Sequence, residues 1–137
     1  MGAFSFSIPN ELQHKLSKIA NVDEIAPKMI DEAAPIAVKA IQAETPVKTG
    51  ALKKSVRAKK AKKAKTGGYI GNITFDGYEV KKLKNGRTVK VANMQKAVST
   101  QYGRKGQAAD PFITRAIDGC SAEIGRKMKE VYERETK

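Results

Sequence analysis

The sequence contains few of the residues that carry chemistry in enzymes. Of its 137 residues, one is cysteine (Cys120), one is histidine (His14) and none is tryptophan. A single cysteine excludes an intrachain disulfide and a thiolate zinc cluster, and a single histidine excludes a helix with two histidine metal ligands. We expect His14 to be exposed and Cys120 to pack in the core. The composition predicts no catalytic residue, no metal and no cofactor, in a protein that is not an enzyme.

Acidic residues and long apolar runs are also scarce. Between Pro46 and Gly106 the only acidic residues are Asp76 and Glu79, which is too few for the metal site of a nuclease. No apolar run approaches the roughly 18 residues of a membrane span, and the first residues lack the charged start and apolar stretch of a secretory signal. We expect a protein made in the cytoplasm, with no membrane partner.

The net charge of +13 is concentrated in the middle of the chain. The formal charge is −2 over residues 1–45, +15 over residues 46–106 and zero over residues 107–137. This distribution favours one electropositive surface over a uniformly basic protein. At its centre lie eight cations, which we call the basic segment: Lys53, Lys54, Arg57, Lys59, Lys60, Lys62, Lys63 and Lys65.

The basic segment suits two kinds of partner. Clustered ammonium groups release counterions when they contact phosphates, but lysine is a point charge that reads no bases, so contact with DNA would be non-specific. Alternatively, the segment is solvated or binds an acidic protein. Tyr69, Tyr78 and Tyr102 could stack on bases, although at strand positions we expect them to pack in the core or at a sheet edge.

Both ends of the chain are predicted to be helical, over residues 10–44 and 111–135. Asn10 is expected to cap a first short helix, and a second helix over residues 23–44 should be kinked or broken at Pro35. Asp110 and Pro111 are expected to cap and open the last helix. The apolar face of this helix is the clearest pattern in the chain and comprises Ile113, Ala116, Ile117, Cys120, Ile124, Met128 and Val131.

The region between the helices, residues 52–91, is predicted to be a basic β region. Leu52, Val56 and Ala58 alternate as in a short strand, and from Lys59 the chain is either a solvated strand extension or a mobile loop. Two hairpins are then predicted, with turns at Asp76-Gly77 and Asn85-Gly86, joining strands over residues 69–75, 78–84 and 87–91.

After the sheet, residues 93–99 are either a short helix or an irregular connection, and residues 99–110 are predicted to form a loop. The fold class that follows is α+β, with one domain over residues 1–137. It has a mainly antiparallel sheet of about four strands, packed against a long kinked helix and a C-terminal helix.

One segment divides the helical N-terminal part from the basic region. It reads Thr45-Pro46-Val47-Lys48-Thr49-Gly50-Ala51-Leu52-Lys53-Lys54-Ser55. Pro46 cannot continue a helix and biases Thr45 toward extended geometry, and Gly50 allows the chain to turn. Leu52 re-enters the core, and the hydroxyl groups of Thr49 and Ser55 can bond to nearby backbone. These residues shape the chain and do not form a reactive site.

Three segments occur in an order that resembles a phage protein family. They are residues 45–55, the run Val91–Ala97 with Gln101-Tyr102-Gly103, and residues 107–113, which read Gln-Ala-Ala-Asp-Pro-Phe-Ile. The chain is similar to the tail-component, or neck and tail-completion, proteins of long-tailed bacteriophages and prophages. The resemblance implies structural motif positions at Pro46, Thr49, Gly50, Leu52, Tyr102, Gly103, Pro111 and Phe112.

Two residues depart from the pattern of that family. Gln101 stands where glutamate is common and Arg104 where threonine is frequent, so an ion pair that this glutamate would make between subunits is expected to be absent. The basic segment is not part of the family pattern, and its role is not implied by the resemblance.

The resemblance implies a structural virion protein, made in the host bacterial cytoplasm. It would form a ring of identical copies at the neck or tail end, in head-tail joining or tail completion, and contact neighbouring neck and tail proteins. In that ring we favour an acidic protein over DNA as the neighbour of the basic segment. The alternative is a free, sequence-independent nucleic-acid-binding protein that uses the basic segment. A small nuclease that depends on His14 or Asp76 is a third hypothesis.

Overall fold

The computed structural model describes residues 4–46, 50–65 and 68–136. Five helices and six strands occur in this part of the chain, in the order β1 Phe4–Ser7, α1 Asn10–Leu16, α2 Val22–Glu44, α3 Ala51–Lys54, β2 Val56–Ala58, β3 Lys62–Lys63, β4 Tyr69–Phe75, β5 Tyr78–Lys82, β6 Thr88–Ala92, α4 Asn93–Tyr102 and α5 Phe112–Glu135. The α+β class is confirmed.

The helices α2 and α5 pack along each other and form the centre of the fold. Half of the buried residues of α2 are alanines, including Ala33 and Ala37, which allow close approach. The predicted apolar face of α5 is buried except for Ile117, which is partly exposed. The helix α2 continues through Pro35. Pro35 is on the exposed face, where the carbonyl that loses its helical partner can reach water.

The strand β4 is the centre of the main sheet. It pairs antiparallel with β1 on one side, and with β2 and β3 on the other. The sequence pattern did not predict β1, in which Phe6 is buried while Ser5 and Ser7 are exposed. Gly71 lies opposite Phe6, and a Cβ atom there would be 2.5 Å from the Phe6 ring. The absence of a side chain at Gly71 therefore lets β1 and α2 pack closely on β4.

The hairpin predicted at Asp76-Gly77 does not form. β4 and β5 belong to different sheets, and β5 pairs with β6 in a separate two-stranded sheet. The amide of Asp76 donates to the carbonyl of Ser55 at 2.8 Å, and Asn93 donates to the carbonyls of Asp76 and Gly77. These distant partners direct the chain away from β4. The second predicted hairpin, with its turn at Asn85-Gly86, is confirmed as β5–β6.

Three other local predictions need correction. Leu52 is buried on the helical turn α3 and is not part of a strand, which begins only at Val56. Asn10 is the first residue of α1 and makes no capping bond. The predicted loop over residues 99–110 begins later, because α4 extends to Tyr102. Of the two alternatives for residues 93–99, the helix is therefore correct.

Aromatic rings join the sheet to the C-terminal helix. Phe75 on β4 contacts Phe4 and Phe112 edge to face, with ring centroids 6.2 Å and 6.0 Å apart. Such contacts contribute about 0.5–1.5 kcal/mol beyond the burial of area. Phe112 is the first residue of α5, so these rings hold the start of that helix against the sheet.

Candidate functional site

All eight cations of the basic segment are exposed. They follow the chain from α3 through β2 and β3 to Lys65, along the side of the sheet opposite β1. Within residues 4–46, 50–65 and 68–136, no ion pair neutralises any of them. The structure therefore exposes the positive charge of all eight predicted residues along α3 and one edge of the main sheet.

Backbone bonds hold the basic segment against the rest of the fold. Lys59 donates its amide to the carbonyl of Asn72 at 2.9 Å, and β3 pairs with the start of β4. The amide of Ala61 donates to a carboxylate oxygen of Asp31 on α2 at 2.8 Å. Of the two predicted alternatives for this stretch, the strand extension is the one that forms.

The hairpin β5–β6 extends this positive surface. All residues from Lys81 to Lys90 are exposed, and they include five cations: Lys81, Lys82, Lys84, Arg87 and Lys90. The carboxylate of Glu79 is paired with Lys96 on α4. A cleft of about 380 Å³ joins the two positive regions, since Lys59 and Lys62 line it together with Tyr78.

The hairpin also exposes large apolar side chains. Tyr78 and Val80 are 65% and 61% exposed, and Leu83 and Val89 are exposed too. A two-stranded hairpin without a covered face is marginally stable in water. The alternation of apolar and charged residues over residues 78–82 predicts a strand. It does not predict that the apolar side of the strand is exposed, because exposure depends on which other elements pack there. The hairpin was therefore missed as a candidate functional element.

The three tyrosines proposed for stacking have different environments. Tyr69 donates its hydroxyl to Asp23, and this hydrogen bond raises the pKa of Tyr69. The expectation of packing is wrong for Tyr78 and Tyr102, because both are largely exposed. Tyr78 lies beside the basic segment, whereas Tyr102 lies at the end of α4.

Local hydrogen bonds and one glycine determine the path of the described residues between α2 and β2. Thr45 is extended and ends α2, with its hydroxyl donating to the carbonyl of Ile41 at 2.5 Å. Gly50 has φ of +76°, a conformation that favours glycine, and directly precedes α3. The hydroxyl of Ser55 donates to the carbonyl of Leu52 at 2.7 Å. The predicted role of Thr49 lies outside the described residues.

Gln101 caps the last helix, a role that the sequence pattern assigned to Asp110. The buried side chain of Gln101 accepts from the amide of Ile113 at 2.9 Å and donates to the hydroxyl of Thr114 at 2.6 Å. Asp110 instead accepts from Arg115 at 2.6 Å, and Pro111 precedes the helix. Gln101, which stands where glutamate is common in the family, therefore makes its hydrogen bonds within the chain.

The residues considered for chemistry are apart from one another. His14 is exposed on α1, and Cys120 is buried on α5, where burial raises the pKa of its thiol. Asp76 accepts from the hydroxyl of Thr74 at 2.8 Å. Among the described residues, no cluster of acidic, histidine or cysteine side chains could hold a metal ion. No helix in the described ranges is long and apolar enough to span a membrane.

These features define a small basic α+β protein whose prominent surfaces suit binding to other macromolecules. A family model described as "Bacteriophage HK97-gp10, putative tail-component" matches residues 10–91, which is more than half of the chain. The chain belongs to this family of phage tail components. The resemblance recognised from the sequence motifs is thereby confirmed.

Comparison with curated proteins and with solved structures gave no match.

Proposed function

We propose that this protein is a structural subunit of the virion that forms a closed ring at the neck or tail end of the phage. Its role there would be in head-tail joining or tail completion. The observation that carries the proposal is the β5–β6 hairpin, whose apolar side chains, such as Tyr78 and Val80, have no cover within the described chain. Exposed apolar residues grouped in this way mark surfaces that bind other proteins.

The distribution of charge supports a ring over a two-fold dimer. The basic segment has a net charge of +8, and residues 78–92 add a net charge of +4 on the adjoining surface. A two-fold contact places a surface against its own copy, so a contact through this one would bring like charges together. Self-association through the hairpin therefore requires a different surface on the next copy. Such head-to-tail contacts form a ring when the rotation between successive copies closes, and we propose that it does so here.

We propose an acidic surface of a neighbouring neck or tail protein as the partner of the basic segment. Its lysines are exposed and make no ion pair within the described residues, so their charge is available to the carboxylates of another protein. In a ring, non-specific contact with DNA in the lumen is the second possibility. The salt dependence of DNA binding separates the two.

Native mass spectrometry of the purified protein, over a range of concentrations and with and without duplex DNA, tests the ring. We expect one defined multimer larger than a dimer, formed in the absence of DNA, because the contact is between protein surfaces. A monomer or dimer that binds duplex DNA tightly, with no larger assembly, would contradict the proposal. That result would favour the free nucleic-acid-binding protein.

A further inference from the structure

A cleft on the far side of the sheet from the basic segment is open to a partner. Its volume is about 390 Å³, and its walls come from β1, α5 and the end of α4. An apolar cavity of about 150 Å³ already admits a benzene ring. The cleft therefore has room for large apolar side chains.

The walls of this cleft combine apolar and polar side chains, with a carboxylate at the margin. Phe4 and Phe6 contribute from β1, Ile117 from α5 and the exposed Tyr102 from α4. Asp118 is exposed at the same place, and no ion pair involves it within the described part of the chain.

The outer edge of β1 adds to the capacity of the cleft to bind a strand. β1 pairs only with β4, so its other edge has no strand partner among the described residues. An edge strand presents backbone donors and acceptors on which another strand can add.

The hairpin has the complementary properties. In the β5–β6 register, Val80 lies opposite Lys90, and Tyr78 and Lys82 are on the same face because side chains alternate along a strand. This face thus combines two exposed apolar side chains with two lysines. The cleft combines apolar side chains, such as Phe4 and Ile117, with Asp118, which makes no ion pair among the described residues.

We propose that the β5–β6 hairpin of one copy occupies the β1–α5 cleft of the next copy. Tyr78 and Val80 fill the cleft, and Lys82 and Lys90 lie near Asp118. This inference rests on the proposed ring and names the two surfaces that make its repeated contact. Because the hairpin and the cleft are different surfaces of one chain, the contact is head to tail, as a ring requires.

Two variants separate the two halves of the contact. The hairpin variant carries Tyr78→Ser and Val80→Ser, which remove two exposed apolar side chains. The cleft variant carries Asp118→Lys, which places a cation where the hairpin lysines would lie. Matched controls are Val98→Ser on the exposed face of α4 and Glu133→Lys near the end of α5. Circular dichroism melting checks that each variant folds.

We expect each contact variant to remain monomeric at concentrations where the wild type and both controls form multimers. Loss of a buried tyrosine at an interface weakens association by about thirtyfold. An equimolar mixture of the two variants should form a 1:1 dimer, since the intact cleft of one accepts the intact hairpin of the other. This dimer cannot add further copies, because its remaining hairpin and its remaining cleft both carry substitutions.

The outcomes distinguish this contact from the ring itself. If the wild type forms multimers and either contact variant does so equally well, the hairpin–cleft contact is wrong while the ring stands. The same conclusion follows if both variants are monomeric but their mixture gives no dimer. If the wild type forms no multimer at any concentration, both the ring and this contact are contradicted.

Discussion

Gly103 holds a backbone conformation that is nearly exclusive to glycine. Its φ and ψ are 80° and 171°, at the point where α4 ends and the loop to α5 begins. A Cβ atom at this position would also be 2.9 Å from the backbone nitrogen of Ala109. Glycine is therefore required at the second position of the Tyr102-Gly103 motif, because the dihedral angles and the nearby backbone of Ala109 both exclude a side chain.

We expect Gly103→Ala to lower the free energy of unfolding by about 2–3 kcal/mol, because it combines backbone strain with a clash. Gly106→Ala is the matched control, because Gly106 has φ of +83° in the same loop but no atom within 4 Å of the place that a Cβ atom would take. It should cost only about 1 kcal/mol. Urea unfolding followed by circular dichroism measures both. Equal losses for the two variants would show that the clash has no effect.

At the scale of elements, ion pairs border the apolar contact between α2 and α5. Arg134 on α5 pairs with Glu32 on α2, and Lys28 pairs with Glu135 at 3.3 Å. The hydrogen bond from Arg134 lowers the pKa of Glu32, and the one from Lys28 lowers that of Glu135. These pairs are largely exposed, so each contributes little to stability. The buried apolar faces, not the ion pairs, hold the two helices together.

The Glu32 pair predicts a small dependence of stability on pH. A carboxyl group whose pKa is lower in the folded protein stabilises it above the ordinary value of 4.5, and this contribution is lost as pH falls through the folded pKa. Glu32→Gln should therefore reduce stability by less than about 1 kcal/mol at pH 7, and the difference from wild type should shrink as pH falls below the ordinary value of 4.5.

Thermal melting at a series of pH values between about 7 and 3 measures this difference. Glu123→Gln, in the middle of α5, is the control, because Glu123 is exposed and makes no ion pair within the described residues. Its melting temperature should follow that of the wild type throughout. If the difference in melting temperature between Glu32→Gln and wild type is the same at both ends of the pH series, the ionisation of Glu32 does not contribute to stability.

At the scale of the whole molecule, the net positive charge is concentrated in two adjoining parts of the fold. The basic segment and the hairpin carry it, whereas residues 1–45 and 107–137 are together close to neutral. A protein with such a surface attracts polyanions at low ionic strength whatever its biological partner is. The useful measurement is therefore how DNA binding changes with salt.

We expect weak, sequence-independent binding of duplex DNA that is lost near physiological salt. Replacing Lys59, Lys60, Lys62 and Lys63 with glutamine should reduce the slope of log K against log salt by about 3–4, because each phosphate contact contributes about 0.9. The control replaces Lys15, Lys18, Lys39 and Lys129, which are exposed outside the positive surface. It removes the same charge and should change the slope much less.

Fluorescence anisotropy with labelled duplex DNA over a salt series gives both slopes. An unchanged slope in the basic-segment variant would mean that these lysines do not contact DNA. Binding that persists at physiological salt would favour DNA over an acidic protein as the partner of the basic segment.

Much of the local structure could be predicted from the sequence. The limits of β4, Tyr69–Phe75, agree with the prediction, and α2 begins one residue earlier than expected. These elements have signals within a few residues: apolar periodicity in the helices and a glycine turn beside the strands. The eight cations of the basic segment were likewise recognised as one surface, because they are close in the chain.

The helices, the central strand and the concentration of positive charge follow from the sequence alone, since each depends on neighbouring residues. Only the tertiary structure decides that β4 pairs with β1 and not β5, that Gln101 caps α5, and that Tyr78 is exposed. Each of these depends on residues far away in the chain, because strand pairing, capping and burial are set by which partner arrives in space. The hairpin surface and the cleft that we propose to join the copies also depend on residues far apart in the chain, so only the tertiary structure shows them.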